Sequence, residues 1–279
     1  MNCLDISLIG AACGKNQYES KEKIILLQLC KEYPSTYKKL FMRDGTILNT
    51  SNVSNEIELA GIYKKFRSEV TCPTKFEDVK HKIVSEMKDK NIESDHFVNS
   101  LEDILKKDCG KNNESKIITQ KNYIKGNNKI WYFRSSHGWN LKGLHDATDG
   151  DTVIEIKTRM KRQNVRKNTY DLYQLFGYLL VMKKSQGKII QKFKNEIFDA
   201  DIENEEEWGL IDINTTHSDQ FKVFYSELTD FFIEVNNYNE TTFDYSKVII
   251  KKPIAKIDSN GTTYEIASGF EKIVKIVTK

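Results

Sequence analysis

The chain has 279 residues, of which 39% are hydrophobic and 30% charged, and a formal net charge of +3. That composition is of an ordinary soluble globular protein, one large or two small domains, and the small net charge excludes a generic binder of polyanions. No apolar run approaches the ~20 residues that span a bilayer, and no basic region leads into a hydrophobic signal core, so an intracellular protein without membrane contact is expected.

Five cysteines, Cys3, Cys13, Cys30, Cys72 and Cys109, are odd in number and lack Cys-x-x-Cys spacing. This argues against a disulfide scaffold and against a zinc or iron–sulfur cage. Buried, reduced thiols are expected.

The first segment runs from Leu4 through Ser7, Gly10, Gly14 and Lys15, then turns helical through Ile24, Leu27 and Cys30 and stops near Pro34. The small residues at 10–14 suit either close helix packing or the approach of a phosphate. Residues 35–93 are polar and lysine-rich, with helical stretches around 55–69 and 76–90. They carry no evident chemistry beyond Glu56 and Glu58 as spare acids. The next helix is expected to begin at the N-cap Ser94 and to end near Lys107, before Cys109-Gly110, with Phe97, Val98, Leu101, Ile104 and Leu105 on its apolar face.

Between Ile117 and Ile156, turn signals at 125–128, 135–138 and Asp149-Gly150 separate four strand-like segments. Trp131, Tyr132, Phe133 and Trp139 fall here, aromatic residues suited to core packing or to stacking on bases. The last two segments, 140–147 and 152–158, form an expected hairpin about Asp149-Gly150. Strand alternation then puts Val153, Glu155 and Lys157 on one side and Ile154 and Ile156 on the other, and pairing brings Asp146 close.

Three charged groups buried together are costly unless they pair or share a ligand. A hard divalent cation suits Asp146, Glu155 and the backbone carbonyl of Ile156. His137 and His145 do not suit a magnesium site, which prefers oxygen. Cation-bound water ionises more readily, and Lys157 can orient it or stabilise charge on a phosphate, which points to hydrolysis of phosphodiesters. Taken alone, a Glu-x-Lys triplet ordinarily marks an exposed strand face.

A basic stretch follows, Lys157, Arg159, Lys161, Arg162, Arg166 and Lys167, suited to contacting a nucleic-acid backbone without reading its sequence. A helix from about Tyr170 to Lys184 then sets Tyr170, Gln174 and Tyr178 on one stripe of a mostly apolar surface, where an amide needs a polar partner. The acidic run 199–207 reads as a solvated loop. Segments 186–198, 208–213 and 221–236 read as strands or short helices, and Val248–Ile250 and Tyr264–Ile266 as strands at a solvated edge.

The ordered series Leu141–Asp146, Val153–Arg159 and Tyr170–Tyr178 resembles the PD-(D/E)XK nuclease superfamily, nearest its lambda-exonuclease, viral-recombinase (YqaJ) and RecB-nuclease branch, over roughly 94–182. The resemblance implies an α/β fold, a central mixed β-sheet flanked by helices, with an N-terminal helical portion (1–93) on a nuclease core (94–279) as one structural unit. It implies Asp146 and Glu155 as metal ligands, Lys157 as the catalytic lysine, and Gln174 and Tyr178 as supporting helix residues, with magnesium or manganese as cofactor. The residue before the aspartate is His145 rather than the usual proline.

Ser7-x-x-Gly10-x-x-x-Gly14-x-x-x-Tyr18 is similar to a DNA-side segment of the viral-recombinase branch. That implies substrate contacts by Ser7 and Lys15, though the arginine usual just ahead of the serine is missing. A glutamate from the helix ahead of the sheet is implied as a further metal ligand, and Glu102 is the candidate. The expected activity is a metal-dependent deoxyribonuclease acting on linear duplex or single-stranded ends in viral or mobile-element recombination, with a single-strand annealing protein as partner. The alternatives are a structure-selective or restriction-type endonuclease and a catalytically silent nucleic-acid-binding module of the same fold.

Overall fold

The computed structural model describes residues 3–16, 19–34, 53–70, 75–92, 95–159, 168–194, 203–239, 242, 254–259 and 262–267. The architecture is α/β, with mixed sheets and flanking helices.

Strand β1 (Cys3–Asp5) leads through a 3-10 turn into the short helix α1 (Ile9–Ala12), and α2 (Lys21–Glu32) follows. Ser20 caps α2, its hydroxyl accepting from the Lys23 N–H at 3.3 Å. Three helices come next: α3 (Val53–Phe66), α4 (Phe76–Asp89) and α5 (Asp95–Gln120). Strands β2 (Ile124–Lys125), β3 (Trp131–Arg134), β4 (Asn140–Gly143), β5 (Ala147–Asp149) and β6 (Thr152–Arg159) lead to α6 (Thr169–Met182). The chain continues with β7 (Gln186–Lys194), β8 (Glu203–Glu207), β9 (Ile211–Asp212), α7 (Ser218–Asn237) and the antiparallel pair β10 (Ile254–Ser259) and β11 (Thr262–Ala267).

The main sheet runs β2-β5-β6-β7-β8, with β9 also on β7. Among the described residues only β6 and β7 are parallel in it, which requires the crossover that α6 supplies. Its two faces are covered differently. Val153 and Ile189 join a large core with Leu175, Phe176 and Leu179 of α6 and with Phe224, Leu228 and Phe231 of α7. On the opposite face Ile154, Ile156 and Ile190 pack on Ile117 and Ile118 of α5. Helix α6 is therefore apolar nearly all round, because it is buried on most sides.

A second sheet, β1-β4-β3, lies against the other side of that core, with β1 parallel to β4. Close helix contact explains Gly10: a Cβ there would meet the Tyr170 Cβ at 2.6 Å. Residues 3–34 thus share the core of α6 and α7, whereas Leu59–Cys109 of α3, α4 and α5 form a separate cluster. The N-terminal portion expected over 1–93 is consequently not wholly helical, since it opens on a strand of a sheet.

Four expected boundaries change. The strand expected over 140–147 is broken: β4 ends at Gly143 in one sheet and β5 begins at Ala147 in the other. The hairpin itself is there, closed by the two-residue turn Gly150-Asp151 with Gly150 at φ +56°, but it is only three residue pairs long. Helix α5 does not stop before Cys109-Gly110; it continues to Gln120, so Ile117 is helical. The acidic run is in part strand β8, whose register sets Glu205 opposite Lys192 and Glu203 opposite Lys194, and residues 221–236, expected as a strand or short helix, lie within one long helix. Val248–Ile250 lie outside the described residues, while Tyr264–Ile266 fall in β11.

No disulfide occurs among the described residues; Cys30 and Cys109 are buried and Cys3 and Cys13 half-buried, while Cys72 lies outside them. No described helix is long and apolar enough to cross a membrane.

Candidate active site

Asp146 stands in the link between the two sheets, directly before β5. The chain is held there by Gly126, whose N–H donates to the Asp146 carbonyl at 2.9 Å, and a Cβ on Gly126 would come within 2.3 Å of the His145 carbonyl oxygen. Asp146 Oδ2 accepts from the Ile156 N–H at 2.8 Å, which ties the acid to the middle of β6. Glu155, one residue earlier on β6, is buried and stands within hydrogen-bonding reach of Asp146.

Lys157 projects from the same side of β6 as Glu155 and lies 2.6 Å from its Oε1. Helix α6 supplies the rest of its surroundings. Lys157 Nζ donates to Gln174 Oε1 at 2.7 Å and sits 3.8 Å from Asp171 Oδ1. Gln174 Nε2 in turn donates to the Tyr178 hydroxyl at 3.4 Å, a long bond. Asp171, Gln174 and Tyr178 stand at i, i+3 and i+7, which is one face of a helix. The amide stripe read from sequence therefore meets the lysine of the strand.

These groups perturb one another in a consistent direction. Burial pushes the Asp146 carboxyl up, with Glu114 adding to it, and the Ile156 N–H opposes the shift. Burial also pushes Glu155 up, with Asp146 beside it, while Lys157 works the other way. For Lys157 burial disfavours the charge, but Glu155 and Asp171 outweigh it and hold the ammonium above its usual range. Burial raises the Tyr178 hydroxyl, Glu155 and Asp146 adding to the effect.

Two close carboxyls in a dry setting repel each other when both ionise, and a cation between them would remove that cost. The residues fit one. Glu155 Oε2 is buried with no hydrogen-bond partner among the described residues, and Asp146 Oδ2 accepts from the Ile156 N–H. Asp146, Glu155 and the Ile156 carbonyl make an all-oxygen donor set of the kind magnesium or manganese takes. Among the described residues no three His, Cys, Asp or Glu side chains converge to form a cage, so this set is two carboxylates and a carbonyl.

Glu102 does not belong to the cluster. Its side chain is 66% exposed and pairs with Lys106 one turn on. The acid that α5 turns towards the site is Glu114, which is half-buried, pushed up by its own burial and by Glu155, and which raises Asp146 in turn. It lies twelve residues further along the helix, about 18 Å at 1.5 Å per residue. Asp171 and Glu114 are the two site groups that sequence reading missed. The signal for Asp171 was its place one turn before Gln174; that for Glu114 was the continuing spacing Leu101, Leu105, Cys109, Asn113, Ile117 past Gly110.

The other candidates divide. Ser7 is exposed in the 3-10 turn after β1. Lys15 bonds Glu227 Oε1 of α7 at 2.7 Å and lies 5.8 Å from the Tyr173 ring centroid, a contact between N-terminal segment and core. Arg159 is the last residue of β6, two residues beyond Lys157. Arg162 and the remainder of the basic stretch, 160–167, lie outside the described residues. Burial lowers the His145 pKa, and its ring stands edge-on to Trp131 at 6.3 Å, which fits a packed imidazole.

Comparison with known proteins adds a distant likeness. No known protein family matches the chain, and no curated protein matches it. Several solved structures are similar. Among them are SSO0001 (16% identity, 71% of this chain and 94% of that one, TM-score 0.36), LHK-Exo in complex with dAMP (11%, 63% and 87%, 0.33) and a phage related exonuclease from Haemophilus somnus 129PT (10%, 85% and 96%, 0.31). At such values the likeness does not decide what the site does.

Proposed function

We propose that the protein is a magnesium- or manganese-dependent deoxyribonuclease that hydrolyses phosphodiester bonds at the Asp146–Glu155–Lys157 cluster. The observation that carries this reading is the buried carboxyl pair with an ammonium fixed beside it, held from a strand and a helix at once. A structural ion pair needs neither the second carboxyl nor the bare Glu155 oxygen.

Asp146, Glu155 and the Ile156 carbonyl would hold the cation, which when bound supplies a Lewis acid that promotes ionisation of water and polarises a phosphate. Lys157 donates hydrogen bonds to the attacking water or to the phosphate oxygens as negative charge grows on them. Gln174 and Asp171, which contact the Lys157 ammonium independently of Glu155, would keep it in place if Glu155 held a cation. Attack of the water oxygen on phosphorus forms a new P–O bond and breaks the ester P–O bond; the proton that the water gives up passes to solvent, and the leaving oxygen takes one from solvent. Glu114 adds negative charge near Asp146. Arg159 and Arg162 are candidate contacts to the nucleic-acid backbone by residue type, Tyr178 backs Gln174, and Ser7 is a further contact candidate.

Action from a DNA end, with recombination of viral or mobile DNA as its setting and a single-strand annealing protein as partner, follows the family resemblance. The test is hydrolysis of linear and closed circular DNA with magnesium, manganese or EDTA. Loss with EDTA and in Lys157→Ala or Glu155→Ala is expected; persistence in either variant overturns the site. Cutting of closed circles identifies an endonuclease. Intact binding without hydrolysis in the wild type identifies a silent binding module.

A further inference from the structure

Four of the seven large hydrophobic side chains with the greatest exposure among the described residues lie between 124 and 144: Ile124, Ile130, Tyr132 and Leu144. This is the stretch directly ahead of Asp146. Strand β3 alternates cleanly, with Tyr132 and Arg134 exposed and Trp131 and Phe133 half-buried. The register sets Tyr132 opposite Lys142 of β4, and Arg134 opposite Asn140. One row of the outer face is therefore Tyr132, Lys142 and Asp5, the last two paired at 3.6 Å. Tyr132 is 65% exposed and Leu144, one residue beyond β4, 46%. At the near end Lys129 lies 4.6 Å over the Trp131 ring.

We propose that this outer face of β3 and β4 is a stacking platform for the bases of single-stranded DNA on its way to Asp146. The proposal rests on the nuclease reading for its substrate class. An exposed aromatic ring standing beside cations on an open sheet face matches the two demands of an unpaired strand, a flat partner for the base and positive charge for the phosphates. Arg134 and Lys142 provide that charge; Asp5 lies on the far side of Lys142 from Tyr132. A duplex offers no free base face to Tyr132, so the platform favours unpaired strands. Position supports the assignment, because the chain passes from the platform row at Lys142, through the end of β4 at Gly143, to Asp146 in four residues.

Binding of a fluorescein-labelled oligothymidylate, followed by anisotropy in EDTA so that nothing is cut, tests the platform apart from the chemistry. Tyr132→Ala should weaken binding by about fivefold or more, since a base–aromatic stack is worth roughly 1–3 kcal/mol. Tyr132→Phe should stay within about twofold, because stacking uses the ring and not the hydroxyl. Arg134→Ala should flatten the dependence of log affinity on log salt by roughly 0.7. Equal binding by wild type and Tyr132→Ala, with both folded by circular dichroism, overturns the platform even where the wild type cuts DNA. If Tyr132→Ala instead changes the sedimentation mass and leaves oligothymidylate binding intact, the face is a contact between copies and the proposal is wrong. Wild type that binds through Tyr132 yet cuts nothing with magnesium overturns the nuclease reading and leaves single-strand binding.

Discussion

Helix α6 touches two lysine–glutamate pairs of nearly equal length, and their difference separates a site from a strut. Lys157–Glu155 spans 2.6 Å with side chains 17% and 2% exposed; Lys15–Glu227 spans 2.7 Å with 32% and 30%. In the second pair both carboxylate oxygens are engaged, Oε1 by Lys15 and Oε2 by the Tyr173 hydroxyl at 2.8 Å. In the first, Glu155 Oε2 is buried and bare among the described residues, and Asp146 crowds it. Distance alone does not mark function. Burial, a second like charge and an unused acceptor set the candidate site apart.

The sharpest way to break this contrast is to remove each lysine in turn. Lys157→Ala should reduce the hydrolysis rate by about a thousandfold, roughly 4 kcal/mol of barrier. Lys15→Ala should leave it within about twofold and cost no more than ~1 kcal/mol of stability, as partly exposed pairs do. Comparable losses in the two, measured at saturating magnesium, would erase the distinction.

A glycine pair sharpens it next. Gly126→Ala and Gly10→Ala both force a Cβ into backbone or packed atoms, and each should cost roughly 1–3 kcal/mol in urea unfolding. Gly126 presses on the peptide that carries Asp146, so its variant should lose activity well beyond its loss of stability, whereas Gly10→Ala should not.

Cation binding should give a smaller effect. Magnesium at tenfold its dissociation constant should stabilise the wild type by about 1.4 kcal/mol and raise its melting temperature. Asp146→Asn should not respond, and an equal response there would place the cation elsewhere.

The smallest expected effect is on pH. Folding raises the pKa of both Asp146 and Glu155, so the native protein holds protons that the unfolded chain has released. The stability this contributes is full below the ordinary carboxylate range, ~4, and is lost as pH rises through the raised values. In EDTA the urea midpoint should therefore fall between about pH 4 and neutrality, and magnesium should flatten or reverse the slope. A midpoint indifferent to pH would mean that these carboxyls are solvated.

Most of the site is legible in the sequence because it is local. Alternation on β6 places Glu155 and Lys157 together, and helical spacing places Gln174 and Tyr178. What failed was punctuation. Cys109-Gly110 reads as a stop, yet the apolar spacing through Asn113 and Ile117 outweighs the cost of about 1 kcal/mol for a mid-helix glycine, and the acid near the site shifted from Glu102 to Glu114. The strand break at 144–146 was equally hidden. A run of alternating residues does not tell whether one sheet takes both halves, and here β4 and β5 belong to different sheets. A basic residue near glycines looks the same in sequence whether it meets a phosphate or, as Lys15 does, a glutamate from a distant helix.

The three side chains that grip Lys157 come from β6 and from the first two turns of α6. Such a strand-and-helix cartridge keeps its internal geometry when the chain is opened elsewhere. A circular permutant with new termini in the exposed turn Ser136-His137-Gly138 would keep the lysine, its glutamate and its amide in one uninterrupted segment, and would rely on sheet pairing alone to preserve the rest.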